Sequence, residues 1–127
     1  LNQKEKVVSI VDKVKKVQND NGSFSDKYGE NLFYTGLALE ILTLDAENTT
    51  LESKKALQYL LKNQYEDGSW DNSFALQVPL ASDYIPEDIE YTISSFGMNV
   101  RAKEFNRLFT TATVLQAISY YEQKYNS

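Results

Sequence analysis

The 127-residue chain contains no cysteine and no histidine. The missing cysteine removes disulfides and the thiol nucleophile, and it leaves the redox compartment open. The two absences together remove the usual zinc ligands and the imidazole base. Two prolines and five glycines are too few for a loop-dominated or low-complexity chain. Positive charge is also scarce: 13 Lys and Arg stand against 18 Asp and Glu, a net charge of −5. That balance disfavours nucleic acid, because phosphate binding needs clustered cations. The one basic cluster, Lys13, Lys15 and Lys16, sits on an amphipathic pattern and reads as a solvated face. The longest apolar run, "LFYTGLALEIL" from Leu32 to Leu42, is too short to span a bilayer. No signal peptide is visible, so cytoplasmic and extracellular locations both fit. A start on Leu1 instead of Met suggests a mature fragment or an excised piece.

What is present is enough apolar material, 42% of residues, for one core and one domain spanning 1–127. Val7, Ile10, Val11, Val14 and Val17 recur at helical spacing and form one stripe. Leu51, Leu57, Leu60, Leu61 and Gln64 repeat that style, and Thr49 with Glu52 has capping-box spacing. Residues 32–44 and 108–121 differ, being apolar almost all round, which predicts burial on every side. They also resemble each other: Leu32-Phe33 matches Leu108-Phe109, Thr35 matches Thr111, and Leu39 matches Leu115. Helices are expected near 4–18, 32–45, 50–64 and 107–123. The second and fourth are expected to be the more buried.

A phrase is written twice after the amphipathic runs. "QNDNGSF" begins at Gln18 and "QYEDGSW" at Gln64, 46 residues apart (64 − 18). The inner helices are 76 apart (108 − 32), so the second unit holds an insert of about 30 residues before its inner helix. A period in the forties built from helix pairs is the mark of a stacked repeat. The first repeat covers about 4–46 and the second about 49–124, with the insert at about 73–106. The insert alternates Ile89, Tyr91 and Ile93 before Gly97, which suggests a hairpin or irregular structure. Loops of that length are often functional.

The repeated phrase reads as a structural joint. Gly22 and Gly68 would supply positive φ where the chain leaves a helix. Asp67 would close a turn on its own backbone. Gln18 and Gln64 would satisfy free backbone groups, with Phe24 and Trp70 as apolar covers. Calcium is the functional alternative, but the spacing fails. With Gly68 as sixth position of a calcium loop, the ligand positions fall on Asn63, Tyr65 and Asp67. With Gly22 they fall on Val17, Asn19 and Asn21.

"QYEDGSW", its weaker copy "QNDNGSF" and the flanking "KALQYLLKNQ", "YTGLALEIL" and "FTTATVLQAI" resemble the QW repeats of the terpene cyclase and prenyltransferase superfamily. The resemblance covers most of the chain except the insert. It implies an all-α fold: two α-hairpin repeats of an α/α toroid, outer helices amphipathic and inner helices apolar, in a partial or truncated ring. It does not settle function, because that architecture serves cyclases, prenyltransferase β subunits, cobalamin carriers and complement thioester domains alike. Its chemistry mostly fails to carry over. The prenyltransferase zinc set needs Cys and His, and thioester domains need Cys. The nearest match to the Asp-x-Asp-Asp acid of the cyclases is "PEDIE", with Glu87, Asp88 and Glu90 as weak catalytic candidates.

Two functions therefore compete. The first is a non-catalytic repeat domain binding an apolar small molecule, a peptide or a protein partner, with no metal or cofactor. Its interface candidates are Phe33, Tyr34, Phe74, Tyr84, Phe96 and Phe109. The alternative is a fragment of a cyclase- or prenyltransferase-like enzyme acting on a polyprenyl substrate. A spacer in a surface protein is also compatible. The open edge of the helices is expected to be covered by the insert, by a second copy of the chain or by further repeats.

Overall fold

In a computed structural model, residues 2–26, 28–75, 89–94, 97–103 and 107–125 are described. The chain is mostly helical. α1 (Gln3–Lys16) leads through a small hairpin, β1 (Ser25–Asp26) and β2 (Gly29–Glu30), into α2 (Leu32–Thr43). A 3-10 turn (Ala46–Asn48) joins α2 to α3 (Thr50–Lys62). Three strands follow, β3 (Phe74–Ala75), β4 (Ile89–Ser94) and β5 (Gly97–Lys103), before α4 (Leu108–Tyr125).

The helices begin where side chains take up the free N–H groups of a first turn. Asn2 accepts from Glu5 N at 2.9 Å, and Asn31 accepts from Tyr34 N at 2.9 Å. α3 is an exception to the sequence reading, because Thr49 and Glu52 form no capping box. The Thr49 hydroxyl donates backward instead, 2.7 Å from the Leu42 carbonyl and 2.9 Å from Asp45 O, and it closes the α2–α3 corner. Buried under the chain, that hydroxyl satisfies carbonyls left open at the end of α2, which outweighs a cap. The Tyr125 hydroxyl, from the far end of α4, reaches Ala46 O at 2.9 Å in the same corner.

α2 is the hub. It packs against α1, α3 and, most extensively, α4. Gly36 permits the close approach of α4, since a Cβ there would lie 3.2 Å from Val114 Cγ2. The core is formed by Val11 of α1, Leu39 and Leu42 of α2, Ala56 and Leu60 of α3, Val114 and Ala117 of α4, and Phe24 and Trp70.

Burial follows position more than composition. Six of the twelve residues of α2 are buried, as expected. α4 is a correction: only Thr110, Val114 and Ala117 are buried, while Leu108, Phe109, Leu115 and Tyr120 are exposed. An all-apolar helix is enclosed only if neighbours flank it on both sides, and α4 has α2 on one side. In α1 the stripe is also only partly used. Val11 is buried with Val7 and Val14 against the core, but Ile10 and Val17 are exposed. On α3, Leu60 is buried and Leu51 and Leu61 are exposed, as is Gln64 just past its end.

The insert contains an antiparallel hairpin, β4 with β5, in register Glu90 to Arg101 and Tyr91 to Val100. β3 adds to β5 on the other side, Phe74 opposite Lys103 and Ala75 opposite Ala102. This pairing stands between the second turn and α4, just as β1 and β2 stand between the first turn and α2. The insert is thus an outgrowth of the slot that holds a tight hairpin in the first half of the chain.

Candidate functional site

The two Gln-Gly-aromatic turns share one hydrogen-bond pattern, to which Asn19 Nδ2 adds a bond to Ser23 Oγ in the first alone. In the first, Gly22 N donates to Asn19 O at 2.9 Å and Asn19 N to Ser23 O at 2.9 Å. In the second, Gly68 N donates to Tyr65 O at 2.9 Å and Tyr65 N to Ser69 O at 2.8 Å. Gly22 has φ 92° and Gly68 φ 89°, the left-handed region that glycine enters without a Cβ penalty. The Asn21 carbonyl accepts from Ser23 N and Oγ at 3.0 and 2.6 Å. The Asp67 carboxylate accepts from Ser69 N and Oγ at 2.9 and 2.6 Å. Those bonds hold the Asp67 carboxyl below the usual carboxylate range. Each glutamine donates to the glycine carbonyl four residues on, at 3.1 Å from Gln18 and 3.0 Å from Gln64.

Each turn is then tied to its following helix by a threonine. Phe24 N donates to Thr35 Oγ1 at 3.0 Å, and Trp70 N donates to Thr111 Oγ1 at 3.1 Å. Both aromatics are buried, and the Trp70 indole N–H also donates to Leu60 O at 2.6 Å, inside the last turn of α3. Trp70 thus pins the end of its helix. It does not cover Gln64, which is exposed.

The two turns differ in what they touch. Gln18 also donates to Glu52 O of α3 at 2.9 Å, and a Cβ on Gly22 would fall 2.2 Å from Lys55 O. The first turn is docked on the backbone of α3. A Cβ on Gly68 would meet only the Gln64 amide, at 3.9 Å. The second turn is instead clasped by Arg107, whose guanidinium lies 4.2 Å from the Tyr65 ring centroid and donates to Ser69 Oγ at 3.2 Å. Arg107 holds φ 62°, a strained conformation for a residue with a Cβ, at the place Asn31 takes before α2.

A second feature lies at the N-terminal ends of α2 and α4. The Phe33 and Phe109 rings stack with centroids 4.8 Å apart, and Tyr34 lies 6.1 Å from Phe33. Tyr34, Leu37, Leu108 and Phe109 are exposed. Farther along α2, burial pushes the Glu40 carboxyl up. Behind the first turn, Tyr59 donates to Glu30 Oε2 at 3.0 Å. Burial, that bond and the Glu30 charge push its phenol up to about 12.

Of the six interface candidates, Phe33, Tyr34 and Phe109 are therefore brought together. Tyr84 and Phe96 lie outside the described residues. So do Glu87 and Asp88. Phe74 and Glu90 lie on β3 and β4, where only the backbone is described. Cover of the open edge by the insert likewise falls on residues mostly outside those described. The sequence reading missed Arg107 and the roles of the two threonines. The matched pair Thr35 and Thr111 carried the signal for the latter, and nothing in the sequence marks Arg107. Among the described residues, no group of three or more carboxylates is placed to hold a metal ion, and no helix is long and apolar enough to cross a membrane. No protein-family model matches the chain, and no curated protein matches it.

Proposed function

We propose that the chain is a non-catalytic binding module made of two α-hairpin repeats of the α/α-toroid kind, and that it takes an apolar partner at the aromatic end of α2 and α4. The repeat part rests on the matched turns: two hydrogen-bond sets, two glycines at the same φ and two threonine ties recur at the spacings read in the sequence. The binding part rests on one observation, the stack of exposed Phe109 on half-buried Phe33, flanked by exposed Tyr34. Aromatic rings left in water at the junction of two helices offer a large, rigid contact area with little side-chain entropy to lose. The ligand is an apolar side chain of a peptide or protein, or an apolar small molecule of similar shape.

Titration of the protein with a prenyl lipid and with an apolar peptide pool tests this. At least one should bind saturably, and Phe109→Ser should abolish binding with little change in melting temperature, since Phe109 is half exposed. Absence of saturable binding to either, or binding unaltered in Phe109→Ser, would contradict the reading.

A further inference from the structure

The molecule carries two surfaces that match the two halves of an interface it also uses internally. The internal example is the first turn seated on α3, where Gln18 reaches Glu52 O and Gly22 lies against Lys55 O. The second turn has the same shape, but among the described residues the Gln64 amide bonds only Gly68 O and nothing faces Gly68 from outside the turn. That is an unused key. The unused seat is on α1. Stepping back 46 residues from Glu52, Lys55 and Ala56 gives Lys6, Ser9 and Ile10. Ala56, under the first turn, is 0% exposed, whereas Ile10 at the corresponding position of α1 is 51% exposed.

We infer that the second turn of one molecule docks on the Lys6–Ser9–Ile10 face of α1 in a second copy, head to tail, repeating the internal contact of the first turn with α3. The charges agree in both places. The first turn carries Asp20 and Asp26, and α3 bears three lysines against one carboxylate. The second turn carries Glu66, Asp67 and Asp71 against the single cation Arg107, 4.0 Å from Asp71, and α1 bears five lysines against two carboxylates. Complementary potentials of this kind set partner and register more than raw affinity. Because key and seat are different surfaces, the contact is heterologous, so it closes into a ring or grows as an open array. It uses different residues from the ligand reading above, which rests on Phe33, Tyr34 and Phe109 at the N-terminal ends of α2 and α4.

Sedimentation velocity over a wide concentration series, at low salt, tests this with two exposed-site variants. One spoils the seat, Ile10→Asp, and the other spoils the key, Gln64→Ala with Glu66→Lys. The wild type should gain mass with concentration. Each variant alone should lose that gain. An equal mixture of the two should recover a dimer that grows no further, because each partner contributes its one intact half. A wild type that stays monomeric throughout overturns the inference. So do variants that associate like the wild type, or a mixture that fails to dimerise.

Discussion

The first turn and the second turn share their backbone bonds, their bonds from serine and their glutamine tie, and they differ in their surroundings. One is docked on a neighbouring helix; the other is held by Arg107. The comparison separates what makes a turn from what makes a joint. The local phrase, Gly at positive φ with an amide or carboxylate two residues before Ser, is sufficient for the turn. The joint requires a second helix, whose backbone carbonyls receive Gln18 and exclude any Cβ from Gly22. The same contrast explains burial: α2 packs against three helices and buries half of its residues, whereas α4, nearly as apolar, buries three of eighteen.

Three experiments sharpen this contrast. The largest effect belongs to the part the turns share. Trp70→Ala should destabilise by about 3–5 kcal/mol in urea unfolding, because it empties a buried site and removes the indole bond to Leu60 O. A cost below about 1 kcal/mol would mean that the second turn is not fastened to α3. Next come the glutamines. Gln18→Ala should cost about 1–2 kcal/mol, because two part-buried bonds, to Gly22 O and to Glu52 O of α3, are lost. Gln64→Ala should cost less than about 0.5 kcal/mol, as exposed substitutions do. A reversed order would refute the assignment of docked and undocked turns.

The smallest effect is the response to pH. Asp67 has a lowered pKa in the folded state, chiefly through its bonds from Ser69. Its contribution is therefore complete above the ordinary carboxylate value and disappears as pH falls through the lower, folded one. Asn21 occupies the same place in the first turn and cannot titrate. Accordingly, the wild type should be slightly more stable than Asp67→Asn at neutral pH, and the gap should close on acidification. A gap that widens in acid would contradict the assignment of those bonds.

The four helices and both turns were legible in the sequence because they rest on local rules, apolar spacing and the Gly-Ser-aromatic phrase. Their ends fall within two residues of expectation, α4 included. Long-range partnerships were not legible. Thr35 and Thr111 could be matched to each other, but nothing local says that their hydroxyls accept from Phe24 N and Trp70 N. The Thr49–Glu52 spacing misled because a buried corner offered Thr49 better acceptors. The apolar character of 108–121 misled because composition states what a helix can bury and not whether a neighbour is there. Of the candidate site, Phe33, Tyr34 and Phe109 converge in space; that they bind is the proposal.

The central claim is that two like turns differ by docking, and one pair of substitutions tests it most directly. Gly22→Ala and Gly68→Ala force the same left-handed strain, about 1–2 kcal/mol, so that term cancels between them. Only Gly22→Ala also drives a Cβ into Lys55 O of α3, an overpacking that costs about 1–3 kcal/mol more. Urea unfolding of both variants should therefore place Gly22→Ala below Gly68→Ala by about 1–3 kcal/mol. Equal stabilities, or the opposite order, would contradict the docking of the first turn and the freedom of the second.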